Sequence, residues 1–297
     1  MIRLTTDKEK TKLCELAKSV KLSYAEADFS IDDSSLYYAY FDDEDILAYI
    51  KARPLTLKLK DHFLKVSLLD DVVILDEDKK IEEELIMATI DMLEHSELIS
   101  LVKTSRPQLY LHHGFKHLYP RYLYFFDKYS FKMDDTSDIK PLADPVAMLE
   151  VYAKMMRSFD GFEVRDVHFY EKKIEALKVR DTGIFAVYDS YDHLRAYFSL
   201  TLGTDVAMID EVVYLSLEAL NKAISYALKY APSVIVKTSV YEDLARVYPE
   251  IKKECASYVL ARLDHKELFD KLYGTDIDGI YKALTLAGRP LWFNDLR

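Results

Sequence analysis

Glycine is scarce in this chain, and this scarcity restricts its possible folds more than any other feature. The 297 residues contain seven glycines, of which Gly114 is the first, whereas glycine makes up about 7% of an average protein. The sequence contains neither G-x-G nor G-x-x-x-x-G-K. Those motifs let a backbone close tightly around phosphate groups. Their absence excludes a Rossmann dinucleotide-binding loop and a Walker-type nucleotide-binding loop.

The composition indicates a folded chain whose main partner is not a polyanion. Half of the residues are hydrophobic and 31% are charged, and a chain of this length allows about two domains. The 40 Lys and Arg residues against 51 Asp and Glu residues give a net charge of −11. Such a charge disfavours nucleic acid and anionic membrane surfaces, so we expect neither as a partner. Cys14 and Cys255 form neither a disulfide framework nor a metal-ligand pair.

The N-terminal residues do not have the pattern of a targeting segment. Arg3, Asp7 and Glu9 interrupt the apolar core that a signal peptide needs. Further along the chain, no uncharged apolar run approaches the ~18 residues of a membrane span. We therefore expect a soluble, cytoplasmic protein.

Hydrophobic periodicity predicts a mixed α/β domain in the first part of the chain. Alternating apolar residues predict strands, and a spacing of three to four predicts helices. The predicted strands are 2–4, 36–41, 46–50, 55–59, 64–68, 72–75, 98–102 and 115–126, and the predicted helices lie near 13–20, 81–92 and 107–112. This order is a meander of strands that ends in a central strand and is followed directly by a helix.

The same order of elements recurs after a polar, proline-containing stretch at 134–145. The predicted elements there are a helix at 146–156, strands at 184–188, 195–200 and 206–214, a helix at 217–228, a strand at 234–238 and a helix at 241–247. The remaining ~45 residues are predicted to be helical, with a helix that begins at Asp264 and ends at Gly274 and another over 276–288. We therefore predict two related domains, at 1–137 and 138–252, and a helical segment at 253–297.

One motif resembles a known family. The segment Ser105–Phe115 reads SRPQLYLHHGF, with a tyrosine four residues before a Gly-Phe pair. It resembles the late motif of GNAT N-acetyltransferases. The repeated order of elements and the segment 259–264 resemble the Eis (enhanced intracellular survival) branch, which has two tandem GNAT domains and a third domain similar to sterol carrier proteins. The resemblance implies an α/β fold class with two tandem GNAT-like domains, mixed sheets and a shortened C-terminal domain.

The resemblance also implies a binding site for acetyl-CoA. Val72, Val73 and Ile74 match the central strand that pairs with the pantetheine arm. Lys79 and Lys80 match the basic positions of the pyrophosphate loop, and Ser105 begins the late motif.

The segment 82–84 departs from the family pattern. These residues are three glutamates, and Glu82 stands where the family has a glycine. Acidic side chains satisfy a helix N-terminus and repel a pyrophosphate. Two interpretations therefore stay open for this segment, an acid-capped helix start exposed to solvent and a working acetyl-CoA cradle.

The resemblance assigns roles to two catalytic candidates. Tyr110 matches the tyrosine that protonates the departing CoA thiolate, and a phenol with a pKa near 10 carries the needed proton at neutral pH. The chain ends with Asn294, Asp295, Leu296 and Arg297. In the Eis-type pattern the terminal carboxylate acts as the base, so the α-carboxylate of Arg297 is the candidate here. The alternative is a docked tail without a chemical role.

Other polar and aromatic groups have simpler interpretations. His112, His113 and His117 lack a nearby carboxylate or cysteine at ligand spacing, so we expect no metal site. The aromatic run 119–129 fits packing of the sheet better than a substrate pocket. The acids at 42–45 fit a solvated hairpin turn better than a site for a polyamine or aminoglycoside.

Two classes of function remain. The first is an N-acetyltransferase that moves acetyl from acetyl-CoA to a primary amine of a small cationic molecule. The second is a catalytically inactive GNAT-fold protein with a binding or structural role. The resemblance also implies a homo-oligomer.

Overall fold

The computed structural model describes residues 1–20, 34–70, 72–75, 78–178, 182–286 and 288–294. The strands are β1 Ile2–Leu4, β2 Leu36–Asp42, β3 Asp45–Leu59, β4 His62–Leu69, β5 Val73–Ile74, β6 Ile99–Lys103, β7 Lys116–Asp127, β8 Ile139–Pro141, β9 Phe162–Glu163, β10 Thr182–Tyr188, β11 Leu194–Leu202, β12 Val206–Tyr214, β13 Ser233–Ser239 and β14 Lys252–Leu263. The α-helices are α1 Lys10–Ser19, α2 Lys79–Glu94, α3 Gln108–Leu111, α4 Pro145–Met155, α5 Val167–Lys178, α6 Leu217–Tyr230, α7 Lys266–Tyr273 and α8 Ile280–Leu284. None of these helices is long and apolar enough to cross a membrane.

The chain divides into two compact units. The first unit contains Met1–Leu118 and Ser257–Leu286, and the second contains Tyr119–Ala256 and Ala287–Arg297. Each unit has a mixed sheet with helices on both faces, as the sequence predicts for an α/β protein.

The sheet of the first unit has the strand order β1-β2-β3-β4-β6-β14. Its neighbouring strands are antiparallel except β4 and β6, which are parallel. Successive residues of β2 point to opposite faces. Tyr37 packs with Leu13 of α1, whereas Tyr38 packs with Leu85 of α2. The two helices therefore cover opposite faces of this sheet.

The sheet of the second unit has the strand order β7-β13-β12-β11-β10-β8. Only β12 and β13 are parallel. On β11, Phe198 packs in the cluster that contains α6, and its neighbour Tyr197 packs in the cluster that contains α4 and α5. The second unit therefore repeats the layers of the first.

The sheet of each unit ends with a strand from a distant part of the chain. Along the chain, this strand comes directly after the parallel strand pair of the other unit. In chain order β7 comes after β6, but it pairs with β13. Likewise β14 comes after β13, but it pairs with β6. The order of strands along the chain therefore differs from their order in the sheets. The domain limits at 137 and 252 stay a prediction about where each repeat begins. The described residues of 253–297 divide between the two units.

The structure corrects several predicted elements. The predicted strands at 46–50 and 55–59 are one continuous strand, β3. The C-terminal segment is not wholly helical, because β14 occupies its first part and lies in the sheet beside β6. Four consecutive residues of β14, 258–261, are buried, so its burial pattern does not alternate. The helix that ends at Gly274 is confirmed, with that glycine at φ 63°.

Candidate active site

An extra residue interrupts the long strand beside β3. β4 pairs with β3 as far as Leu69, which lies opposite Ala52. β5 then resumes the pairing, with Val73 opposite Tyr49. Between these two pairs β3 advances by three residues and its partner by four. β4 and β5 are therefore one strand with a β-bulge, which bends the strand and ends regular pairing locally.

The bulge opens a gap in the sheet. β6 runs parallel to β4, and their pairs are Leu68 with Leu101 and Leu69 with Val102. Within the described ranges, β5 pairs with β3 alone. Among the described residues, the pairing of these two strands ends at Leu69 and Val102. We call the region beyond this last pair, between β5 and β6, the gap.

The predicted strand residues lie at this gap, but not as a separate central strand. The prediction placed a strand at 72–75, whereas the parallel pairing belongs to β4 and only Val73 and Ile74 form β5. Val72 lies outside a strand, and it and Val73 are buried. The reason is the bulge, which the apolar pattern of 72–75 does not reveal.

The N-terminus of α2 is closed by its own cap. The Asp78 carboxylate accepts hydrogen bonds from the backbone N–H groups of Lys80 at 2.9 Å and Ile81 at 3.3 Å. Such a cap contributes about 0.5–2 kcal/mol to helix stability. A bound phosphate would have to displace the carboxylate from these donors. The side chains of Lys79 and Lys80 are exposed, and Asp76 and Glu77 lie outside the described residues.

The glutamate at the family's glycine position forms an ion pair. Glu82 is 8% exposed, and its Oε1 lies 2.6 Å from Nη2 of Arg106. Arg106 follows β6, and its backbone N–H donates to the Thr104 hydroxyl at 2.9 Å. The predicted acid-capped helix start is therefore present, but Glu82 is buried rather than solvated. Ser105 is exposed beside this ion pair.

Tyr110 lies in the buried cluster at the gap. It is on α3 and 0% exposed, and the cluster also contains Leu69, Val72 and Val102. Its ring meets the Phe115 ring edge to face, with 5.7 Å between the centroids. Gly114 ends this turn at φ 87°, a conformation that favours glycine. Tyr110 and Val72 therefore belong to the same buried cluster.

A half-buried carboxyl lies beside the paired parts of β4 and β6. Glu97 precedes β6 and accepts hydrogen bonds from the backbone N–H of Ser67 at 2.6 Å and from its hydroxyl at 2.5 Å. Burial raises the pKa of Glu97 to about 7, and the charge of Asp264 raises it further, while the bonds from Ser67 oppose both. Asp264 itself accepts from Ser100 of β6 at 2.6 Å. Hydrogen bonds among these side chains therefore connect β4, β6 and the end of β14.

The remaining candidates take structural positions. Nδ1 of His117 lies 2.7 Å from the Ser257 hydroxyl. In the ranges that the structure covers, no group of three His, Cys, Asp or Glu side chains could hold a metal ion. The acids at 42–45 are exposed at the turn between β2 and β3. In the aromatic run, Tyr119, Tyr124 and Phe126 are buried in the second unit.

Arg297, the predicted base, lies outside the described residues. Its role stays a prediction.

Sequence reasoning missed a buried ion pair in the second unit. Arg165 and Glu211 are both 0% exposed in their side chains, and two hydrogen bonds of 2.9 Å join them. The hydroxyls of Tyr170 and Tyr197 complete the network, at 3.3 Å from Arg165 and 3.1 Å from Glu211. Arg165 lies in a polar stretch that is typical of an exposed loop, so no local signal predicts its burial.

Comparison with solved structures identifies the fold. A conserved protein of Enterococcus faecalis V583, described as a probable N-acyltransferase, aligns with a TM-score of 0.73 and 14% identity over 91% of this chain and 74% of its own. A GCN5-related N-acetyltransferase of Anabaena variabilis gives a TM-score of 0.69 and 14% identity over 89% and 73%. Eis1 of Mycobacterium abscessus gives 0.65 and 12% over 91% and 75%. This chain has the GNAT N-acetyltransferase fold.

The likeness to the GNAT proteins is one of fold, at 12 to 14% identity. No protein-family model matches the sequence. No curated protein matches it either.

Glu97 makes the stability of the fold depend on pH. In the unfolded chain this carboxyl titrates near 4.5, whereas in the folded protein its pKa is about 7. Between these values the folded state binds more protons, so the free energy of unfolding falls as the pH rises, by on the order of 3 kcal/mol from this group. We expect Glu97→Gln to remove this loss in urea denaturation between pH 4.5 and pH 8.

The exposed variant Glu83→Gln is the control for the loss of one negative charge. It should follow the wild-type pH profile. A Glu97→Gln profile parallel to wild type would contradict the assignment.

Proposed function

We propose that the chain is an N-acetyltransferase of the tandem GNAT type, which transfers acetyl from acetyl-CoA to a primary amine of a small cationic molecule. One observation supports it most directly. In the first unit a bulged strand diverges from its parallel neighbour, and Tyr110 lies buried at the resulting gap. Proteins of this fold typically use acetyl-CoA, and the two units repeat one topology, which supports the tandem arrangement. The self-association implied by the resemblance remains a prediction.

The described residues fit the two halves of acetyl-CoA differently. An extended pantetheine arm would lie between β5 and β6 and pair with their main chain, as a peptide pairs with the edge of a sheet. The start of α2 is less suited to the pyrophosphate, because Asp78 already occupies two N–H donors. Displacing that cap costs about 1 kcal/mol, which weakens binding about fivefold. A loss of that size lowers the affinity for a ligand that would otherwise bind with a micromolar Kd, but it does not abolish binding. We therefore expect weak binding of acetyl-CoA.

Two groups of this chain would serve the reaction. Acetyl-CoA would supply the activated thioester, whose C–S bond breaks as the amine attacks. Tyr110 would donate its phenolic proton to the departing sulfur. The amine is protonated at neutral pH and must first lose a proton, and the α-carboxylate of Arg297 would accept it directly or through a water. The net charge of −11 favours the approach of a cationic acceptor.

A second candidate function has its own support. The cap of Asp78 and the ion pair between Glu82 and Arg106 together close the start of α2 to an anion. A chain that kept the fold and lost acetyl-CoA binding would be a binding or structural protein. Titration with acetyl-CoA separates the two candidates.

We expect the wild-type chain to bind acetyl-CoA with a Kd below about 1 mM, a free energy near −4 kcal/mol or better. Asp78→Ser keeps a capping hydroxyl and removes the negative charge from the helix start, so it should tighten binding about fivefold. Glu83→Gln removes an equal charge from the second turn of α2 without touching the cap, so its effect should be smaller. Isothermal titration calorimetry measures all three. If neither wild type nor Asp78→Ser binds at several millimolar, the second candidate is correct.

Tyr110→Phe removes the proposed acid and keeps the ring. We expect kcat to fall by at least about 100-fold with little change in KM, measured as CoA thiol release with a panel of polyamines and aminoglycosides. Tyr37→Phe removes another buried phenol, on the face covered by α1, and should keep its activity. Equal activities of the two variants would show that Tyr110 is a packing residue.

Extending the chain beyond Arg297 by Gly-Ser-Gly-Ser moves the terminal carboxylate away from its proposed position. We expect this extension to lower kcat, and to raise the dependence of the rate on pH because the amine must then lose its proton to solvent. Acetyl-CoA binding should be unchanged. Arg297→Ala retains a terminal carboxylate and is the matched control. An extended chain with full kcat would rule out the carboxylate as the base.

A further inference from the structure

The second unit has a bulge and a gap of its own. β12 pairs with β11 such that Glu211 lies opposite Ser199, and Ile209 lies opposite Leu200. Asp210 is therefore an extra residue in β12. The parallel pairs of β12 with β13 end at Ile209, so beyond the bulge these strands also diverge over the residues described.

Residues 290–294 of the chain lie in this gap and contact both of its sides. The Leu291 carbonyl accepts a hydrogen bond from the Ser239 hydroxyl at 3.1 Å, at the end of β13. The Asn294 side-chain amide donates to the Asp210 carbonyl at 3.1 Å, at the bulge of β12. Ser239 is three residues beyond the last parallel pair, roughly 10 Å along the strand. The segment 290–294 therefore extends from the mouth of the gap to the bulge.

The backbone of this segment pairs as a short strand would. The Asp160 N–H donates to the Pro290 carbonyl at 2.9 Å, and the Trp292 N–H donates to the Asp160 carbonyl at 3.1 Å. These two bonds form a parallel bridge between Asp160 and Leu291. The segment is thus bound in an extended conformation by main-chain hydrogen bonds.

Side chains of the second unit bind this segment specifically. Trp292 is 1% exposed, its indole N–H donates to Glu242 Oε2 at 2.9 Å, and its ring contacts Tyr152 with 5.7 Å between centroids. Nη2 of Arg165 donates to the Asn294 carbonyl at 2.6 Å. The segment therefore has hydrogen-bond partners both at the Trp292 side chain and at its last residue, Asn294.

Gly161 lets the segment approach closely. Its φ is +59°, and a Cβ there would lie 2.7 Å from Cδ2 of Leu291 and 2.9 Å from the hydroxyl of Tyr119. At those distances a Cβ would force the side chain of Leu291 or Tyr119 to shift, and the positive φ strains any side chain at this position. Gly161 therefore favours the close approach of the segment.

We propose that the gap of the second unit is a binding site for an extended peptide, and that residues 290–294 of the chain are its ligand. The two units then use equivalent gaps differently. Residues 290–294 fill the gap of the second unit, and we expect acyl-CoA to bind at the gap of the first unit. The proposal does not depend on the proposed enzymatic activity.

The sole tryptophan of the chain is Trp292, so its fluorescence reports whether the segment is bound. In the full-length wild-type protein we expect a blue-shifted emission that acrylamide quenches poorly. Gly161→Ala should shift the emission to the red and raise the quenching constant severalfold. Gly274→Ala is the matched control, because Gly274 also has a positive φ of 63° but a Cβ there would meet nothing within 4 Å. It should behave as wild type.

Ready quenching of Trp292 in the wild-type protein would overturn the proposal, and so would equal behaviour of the two glycine variants. Coenzyme A added to the full-length protein should leave the emission unchanged. Release of Trp292 by coenzyme A would show that the gap is a cofactor site and would also overturn the proposal.

A truncated chain that ends at Gly288 tests the same site in trans. It contains no tryptophan, so a synthetic peptide with the sequence of residues 289–297 carries the only indole. If the truncated chain unfolds cooperatively, we expect the peptide to bind with a Kd below about 100 μM and its emission to shift to the blue. A scrambled peptide is the control. A folded truncated chain that does not bind the peptide would contradict the proposal. If truncation prevents folding, the glycine variants of the full-length chain test the proposal instead.

Discussion

One extra residue in a strand determines the architecture of both candidate sites. A parallel pair of strands normally continues its hydrogen bonds to the end of the shorter strand. In each unit a bulge ends that pairing early, between Leu69 and Val73 in the first and at Asp210 in the second. A bulge increases the local twist and redirects the strand, so the neighbouring strands diverge. A backbone group that loses its partner in the ladder needs another one, because a buried N–H or C=O without a partner costs about 1–3 kcal/mol.

The two gaps differ in what lies in them. In the second unit the Asn294 side-chain amide donates to the Asp210 carbonyl of β12, and the Leu291 carbonyl accepts from the Ser239 hydroxyl of β13. In the first unit no strand pair joins β5 to β6 among the described residues, and the Asp78 carboxylate caps the start of α2. The acidic side chains at the start of α2 are compatible with a stable helix, but they are unfavourable for binding a phosphate group. The acidic residues at the start of α2 therefore stabilise the helix and at the same time lower the affinity for acetyl-CoA.

The sequence predicts most of the elements and little of how they combine. Periodicity locates α2, α6 and β12, because a helix or strand with one buried face carries a regular apolar pattern. The motif that ends in Gly114 and Phe115 locates Tyr110 because a left-handed glycine and a buried ring are local requirements. The bulges leave no such signal, since a single added residue changes neither composition nor periodicity. Exchange of β7 and β14 between the units depends on contacts between distant parts of the chain.

The buried charge of Arg165 shows how the second unit binds the segment 290–294. A guanidinium without solvent needs partners for all of its donors, and removing one partner of a buried ion pair costs about 3–5 kcal/mol. Glu211 accepts two of the hydrogen bonds. The Asn294 carbonyl accepts a third at 2.6 Å. When the segment leaves, that donor loses its acceptor inside the protein, so the same arginine that balances Glu211 also favours the bound chain end. The ion pair and the segment therefore stabilise each other.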